Sequence, residues 1–297
     1  MNDWDLRIFE MVARTGGIGR AAIELNTAQS NVTTRMRHLE EELDEPLFER
    51  HSRGVKLTAA GQRLRPYAVQ VLNLLEQGRR AAKDNGQPSG RMSLGSLETT
   101  AALRLPAILA AYAQAYPAVD LSLNTGTTAS LIEDVLQLRL DGAFVTGPVS
   151  HPELTSESIF KEELVLVTGR NIANLNQLTG VRDLKVLVFR AGCSYRRQLE
   201  LVLAQRGVVG LRMLEFGSLD AILGCVGAGV GVTLLPRALV APMQGERSIA
   251  LHTLPGSDAN VETVFVRRED CHSSSAMTAL LRMVTHDPIA MTVEVDG

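Results

Sequence analysis

Cysteine is scarce in this chain. Cys193, Cys225 and Cys271 are the only three in 297 residues, odd in number and with no CxxC pair. That excludes a disulfide scaffold and a thiolate zinc site as expectations. The six histidines are scattered without an HxxxH spacing, and the adjacent pair Cys271-His272 is badly placed to hold one ion, so no metal is expected. Long apolar runs are also lacking. The best candidate, Ala221 to Leu235, carries four glycines and stops at Pro236, so no membrane span and no membrane partner are expected. The chain opens Met1-Asn2-Asp3-Trp4 with no basic start leading into an apolar run, so no signal peptide is expected and the cytoplasm is the expected location. Strong charge is missing as well. A formal net charge of −3 neither favours nor forbids nucleic acid, because a small basic surface can sit on a near-neutral chain. With 45% apolar and 21% charged residues the composition is that of an ordinary globular protein, and its length suits two or three packed units.

The first ninety residues read as helical. Leu6, Phe9, Val12 and Ala13 recur at helical spacing, and Gly16-Gly17 ends the run. A short second helix carries Ala21, Ala22 and Leu25, with Asn26-Thr27 as turn and cap. A third helix places Val32, Met36, Leu39 and Leu43 on one face and Gln29, Ser30, Thr33, Thr34, Arg35 and Arg37 on others. Three short helices, the third polar and basic, are the outline of a helix-turn-helix. His51 to Thr58 then reads as a small hairpin, a wing, with Arg53 and Lys56 flanking Gly54. From Thr58 a longer helix runs to about Lys83, weakened or bent by Pro66. Its Leu64, Ala68, Val71 or Leu72, and Leu75 have the spacing of a seam with a partner helix. Residues 84–90 are the clear linker. The organisation predicted is a winged helix-turn-helix at 1–58, a dimerising linker helix and hinge at 59–89, and a third region at 90–297.

Beyond residue 90 strands alternate with helices. Strands are predicted at 92–97, 119–124, 143–145, 154–160, 163–167, 185–189, 212–216, 231–235 and 261–266. Helices are predicted at 103–114, 131–138, 195–205, 219–226 and 275–286. Such units argue for parallel sheets with helices on both faces, so the fold class is α/β behind an all-α head. The pattern runs once before residue 160 and once after it. Two lobes are therefore expected, one of about 90–160 and 268–297, the other of about 161–267.

Residues 1–61 resemble the DNA-binding domain of LysR-type transcriptional regulators. The matching features are Leu6 and Phe9; Ala21-Ala22 and Leu25; Ala28-Gln29-Ser30, Val32-Thr33, Arg37, Leu39-Glu40 and Leu43; Pro46-Leu47-Phe48-Glu49-Arg50; and Leu57-Thr58-Ala59-Ala60-Gly61. A dozen features in register over sixty residues are specific where any single one is not. The resemblance continues more loosely over nearly the whole chain. It departs at Gly17, where the family usually has serine, and at Ser30, where it often has proline. The resemblance implies a homodimer or tetramer paired through linker helices. It also implies a sensing domain like a periplasmic binding protein, and a small effector between the lobes that alters contacts with promoter DNA and RNA polymerase.

Within that frame Gln29 is the first choice for reading bases, since its amide both donates and accepts as adenine requires in the major groove. Ser30, Asn31, Thr33 and Thr34 suit phosphate or close base contacts, and Arg35 and Arg37 suit phosphates. The competing reading of the two arginines is an ordinary charged face paired with Glu40 and Glu41. Arg53 and Lys56 of the wing suit the backbone or the minor groove, or serve only solubility. The acidic run Glu40 to Glu45 must face away from DNA.

Hydroxyls and glycines gather where strands of the second region meet helices. Ser96, Leu97, Glu98, Thr99 and Thr100 form one such segment, Thr125, Gly126, Thr127 and Thr128 a second, and Cys193 and Ser194 a third; Thr146, Phe216 and Ser218 are candidates for the walls. Free N–H groups at helix starts suit a carboxylate, although the same residues are common caps without a ligand. The expected ligand is a non-covalent small-molecule effector, a carboxylate or an amino acid, with no other cofactor. Glu98 opposes an anion and suits an amine, while Arg190 and Arg196 are candidates to restore positive charge. Cys193 reads as a small buried cysteine, with a redox sensor as the alternative. The run Gly224 to Gly231 ends a helix instead of opening one, which argues against a dinucleotide loop. Three functions are thus weighed. A ligand-responsive DNA-binding regulator leads. An effector-independent DNA binder leaves the long second region without a use. A solute-binding protein or enzyme on the two-lobed fold leaves the helix-turn-helix unexplained and lacks a visible acid, base or nucleophile pair.

Overall fold

The computed structural model describes residues 1–51, 54–179, 181, 183–189, 194–208, 210–255 and 259–286. The chain divides into two compact units, one running from Met1 to Lys83 and a second beginning at Asp84.

The first unit contains α1 (Asp3–Thr15), α2 (Ile18–Glu24), α3 (Gln29–Leu43), β1 (Phe48–His51), β2 (Gly54–Leu57) and α4 (Ala59–Lys83). A reciprocal cap starts α1: the Asn2 side chain accepts the Asp5 N–H, and the Asp5 carboxylate accepts the Asn2 N–H, both at 3.0 Å. Gly16 ends it in the left-handed region. The cap expected from Asn26-Thr27 is not made. Asn26 supplies a left-handed turn, Ala28 occupies the cap position of α3, and Thr27 Oγ1 accepts from Asn31 Nδ2 at 3.0 Å. Phe9, Val12, Ala21, Val32, Met36 and Leu39 form the core. Glu40 turns inward to accept the N–H groups of Leu47 and Phe48 at 2.7 and 3.1 Å, so it orders the entry to the hairpin.

The hairpin begins earlier than the sequence suggests, at Phe48, which pairs with Leu57. Its Gly54 has φ 135° and a Cβ there would stand 2.4 Å from the Gly16 carbonyl oxygen, which accepts the Val55 N–H at 3.1 Å. The wing is thereby pinned to the α1–α2 turn at a place only glycine fits. Thr58 caps α4, its Oγ1 accepting the Gly61 N–H at 3.0 Å. The helix runs through Pro66, which offers no N–H to the Gln62 carbonyl but does not end it. The predicted seam is overturned in part. Leu64, Ala68 and Leu72 pack into the core of the unit itself, while Tyr67, Val71, Leu74 and Leu75 form the exposed apolar stripe of α4.

The second unit begins with β3 (Gly90–Ser96), α5 (Glu98–Leu103), α6 (Leu105–Ala115), β4 (Val119–Thr125), α7 (Thr128–Leu136) and β5 (Gly142–Thr146). The helix predicted at 103–114 is α6, and the short α5 precedes it, broken from it at Arg104 ahead of Pro106. Next comes β6 (Leu154–Gly169), one strand where two were predicted, then β7 (Lys185–Phe189), α8 (Ser194–Ala204), β8 (Arg212–Phe216) and α9 (Leu219–Gly227). The chain continues through β9 (Thr233–Pro236), α10 (Arg237–Val240), β10 (Ile249–Thr253), β11 (Asn260–Arg268) and α11 (Ser275–His286).

The sheets are mixed, not purely parallel. β3 pairs parallel with β4 and β5, and β7 pairs parallel with β8. The long strands β6 and β11 run antiparallel to each other and carry the chain between lobes. The amino-terminal half of β6 lies against β11, and its carboxyl-terminal half pairs with β9 and β10. Thr263 to Val266 pair with β5 of the first lobe, so the return crossing comes before residue 267. Period-two alternation covers both faces. Phe144 and Phe265 face α6 and α11, while Ala143, Val145, Val264 and Val266 face α7. In the second lobe Leu164 and Leu166 face one core, Val165 and Val167 the other.

Candidate effector cleft and DNA-facing helix

A cavity of about 400 Å³ lies between the lobes of the second unit. Its first wall is Leu97, Glu98 and Thr99 at the β3–α5 junction, with Thr125, Gly126, Thr127 and Ser130 at the β4–α7 junction and Thr146 at the end of β5. Its second wall is Phe189 ending β7, Tyr195 on α8, and Phe216-Gly217 ending β8. All five strands point their carboxyl ends at it, as in α/β folds generally, because helices start there and leave backbone groups available. The size is in the range of a small-molecule site.

The cavity gathers eight of the residues read from sequence: Leu97, Glu98, Thr99, Thr125, Gly126, Thr127, Thr146 and Phe216. Four others stand outside the lining, three of them in its frame. Ser96 is fully buried and donates its hydroxyl to the Leu97 carbonyl at 3.0 Å. Thr100 is buried behind the wall. Thr128 Oγ1 accepts the Thr146 N–H at 3.3 Å and ties two strand ends together. Ser218 is exposed at the cap position of α9. Cys193, Arg190 and the side chain of Ser194 lie outside the described residues, as does Arg53 of the wing. Sequence reasoning missed Ser130, Phe189, Tyr195 and Gly217. Ser130 had a signal: Thr127 and Ser130 stand at i, i+3, the spacing of a reciprocal cap. The Thr127 N–H donates to Ser130 Oγ at 3.0 Å and the Ser130 N–H to Thr127 Oγ1 at 3.2 Å.

Among the described lining residues Glu98 alone carries a formal charge. Arg196 does not supply the cation expected of it, since it is ion-paired with Glu200 at 3.3 Å and Glu215 at 3.1 Å. Across the cavity the Tyr195 hydroxyl lies 3.3 Å from Thr99 Oγ1. The far end of α5 also reaches the second lobe. Leu103 packs against its core, and Arg104 Nε donates to the crossover residue Glu162 at 2.6 Å, with the guanidinium over the Phe160 ring. One short helix therefore touches both the cavity and the crossing between lobes.

In the first unit the buried face of α3 is Val32, Met36 and Leu39, which leaves Gln29, Ser30, Thr34 and Arg37 exposed together. Lys56 on β2 is exposed as well. Three candidates are otherwise engaged. Thr33 donates to the Gln29 carbonyl at 2.9 Å, Asn31 donates to Thr27, and Arg35 pairs with Asp5 at 3.2 Å and not with Glu40 or Glu41. Gly231 approaches so close to the Lys185 carbonyl that a Cβ would stand 2.2 Å from its oxygen, which makes the glycine run a packing device at the end of α9.

Among the described residues no helix is long and apolar enough to cross a membrane. Residues 4–62 match the bacterial regulatory helix-turn-helix protein, lysR family, and residues 85–287 match the LysR substrate binding domain. The chain is 44% identical over 281 residues to the HTH-type transcriptional regulator GltR of Bacillus subtilis, covering 95% of each chain. It is 42% identical over 285 residues to the uncharacterized HTH-type regulator YusT of the same organism, covering 96% of each. Among solved structures, full-length CbnR in complex with its target DNA superposes with a TM-score of 0.69 at 24% identity, covering 96% of this chain and 99% of that one. A full-length OxyR variant from Pseudomonas aeruginosa gives 0.69's near equal, 0.67, at 19% identity over 96% of this chain and 93% of the other. These two likenesses show the fold, and the sequence matches show the family: the chain belongs to the LysR family of bacterial DNA-binding transcriptional regulators, with an amino-terminal helix-turn-helix and a carboxyl-terminal substrate-binding effector domain.

Proposed function

We propose that this regulator reads promoter DNA with the exposed face of α3, Gln29 contacting a base edge and Ser30, Thr34, Arg37 and Lys56 contacting base or backbone. A small effector held in the cleft sets its activity. The observation that carries the reading is the cavity between two lobes on the same chain as a helix-turn-helix whose outward side is polar. A ligand touching both walls favours one arrangement of the lobes and shifts the population toward it. The protein acts as a binding module and not as an enzyme: Glu98 has no second acid, base or nucleophile pair beside it among the described wall residues. It works as a dimer or tetramer, alongside RNA polymerase, in the cytoplasm where promoter DNA lies. The relative CbnR has been captured on its target DNA, which supports the same mode here.

The test is fluorescence anisotropy on duplex from upstream of the protein's own gene and on a scrambled duplex. Gln29→Ala should cost about 1–3 kcal/mol on the specific duplex and little on the scrambled one. Equal losses on both would remove the base-reading role.

A further inference from the structure

We infer that the effector carries an ammonium or another organic cation, held by Glu98, with an apolar or aromatic body against Phe189 and Phe216. This rests on the cleft being the effector site. Glu98 is half-buried in the cavity wall, and no ion-pair partner faces it among the described residues. Among the described residues, three cations on neighbouring elements are committed elsewhere: Arg104 to Glu162, Arg196 to Glu200 and Glu215, and Arg237 to Glu163.

At the start of α7 the donors that an anion would need are committed. The Gly126 N–H donates to the Ser96 carbonyl at 3.1 Å, and the Thr127 and Ser130 N–H groups are taken by the reciprocal cap. A carboxylate entering here meets a like charge at the start of α5, on the very turn whose N–H groups would otherwise receive it. An ammonium meets a carboxylate, the oxygens of Thr99, Thr125 and Thr146, and aromatic faces that attract cations. An acid in the first turn of a helix is often there for the helix alone. In α5 that gain is small, because the helix has only six residues, and it gives no reason for the surrounding hydroxyls and rings.

The experiment is calorimetric titration of the full-length protein with phenethylamine and butylamine, and with phenylacetate and butyrate as counterparts of opposite charge. Wild type should bind at least one amine and neither acid. Glu98→Gln should weaken amine binding about 10- to 100-fold, the loss of one charge-assisted hydrogen bond. Its thermal unfolding and ligand-free DNA binding should stay as in wild type, and Glu98→Asp should retain part of the affinity. If Glu98→Gln does not fold, Glu98→Asp and Thr99→Val carry the comparison. Binding of an acid but no amine overturns the cation assignment and leaves the cleft as the effector site. An amine that binds wild type and Glu98→Gln equally is seated elsewhere and overturns the cleft with it. No binding by any of the four overturns the assignment.

Discussion

The hydroxyl of Tyr195 stands 3.3 Å from Oγ1 of Thr99 and joins α8 of one lobe to α5 of the other across the effector cleft. Both residues also line the cavity, so a bound effector competes for the groups that hold the walls together. Tyr195→Phe and Thr99→Val should each lower the unfolding free energy of the ligand-free protein by about 0.5–1.5 kcal/mol, the worth of a neutral hydrogen bond. The double variant should lose less than the sum of the two. Urea unfolding of the four proteins measures this coupling; strict additivity would mean that the two hydroxyls do not interact in solution.

Arg104 and Glu162 make a second tie, between the end of α5 and the crossover strand. Their side chains are 11% and 6% exposed, so neither charge is well served by water. Arg104→Met should therefore destabilise the effector domain by about 3–5 kcal/mol, because it strands a buried carboxylate. Adding Glu162→Leu should recover much of that loss. Denaturant midpoints of the single and double variants decide it, and a double variant no better than the single would assign the cost to packing.

The exposed stripe Tyr67, Val71 and Leu74 on α4 is where self-association should register. Burying one such side chain is worth about 1.5–3 kcal/mol, so Val71→Glu or Leu74→Glu should weaken association about tenfold or more. Leu72→Ala should instead lower the stability of the first unit and leave association unchanged, since Leu72 packs inward. Sedimentation equilibrium beside thermal melts separates the two effects.

Asp84 should give the effector domain an acid-sensitive limb. Its carboxylate accepts the Ser275 N–H at 2.7 Å and the Gly86 N–H at 3.0 Å, and these bonds, that of Ser275 foremost, hold its pKa well below the usual carboxylate range. A depressed pKa means stability that is fully present above the unfolded value of about 4 and lost as pH falls from there through the folded value. Asp84→Asn should flatten the decline of stability with acid below about pH 4 without moving the neutral plateau by more than its lost hydrogen bonds. Unfolding curves taken at descending pH will show whether the slope changes.

How much was legible beforehand follows from the range of the interactions. The helices of the first unit, the capping Thr58, the wing glycine and most strands of the effector domain were readable, since periodicity, caps and turns act over a few neighbouring residues. The motif from Ala28 to Gly61 named the family for the same reason. The wall formed by Leu97, Glu98, Thr99 and Thr127 was readable because strand ends that open helices carry a local signature. What tertiary structure decided was whatever depends on residues far apart in sequence. Only packing against α1 turned Leu64, Ala68 and Leu72 inward and left Tyr67, Val71 and Leu74 as the free stripe. Only the pairing with β11 in one lobe and with β9 and β10 in the other made a single strand of Leu154–Gly169. Tyr195 and Phe189 joined the cleft because lobe closure brought them opposite Glu98 and Thr99, a proximity set by the three-dimensional path of the chain and invisible in local spacing.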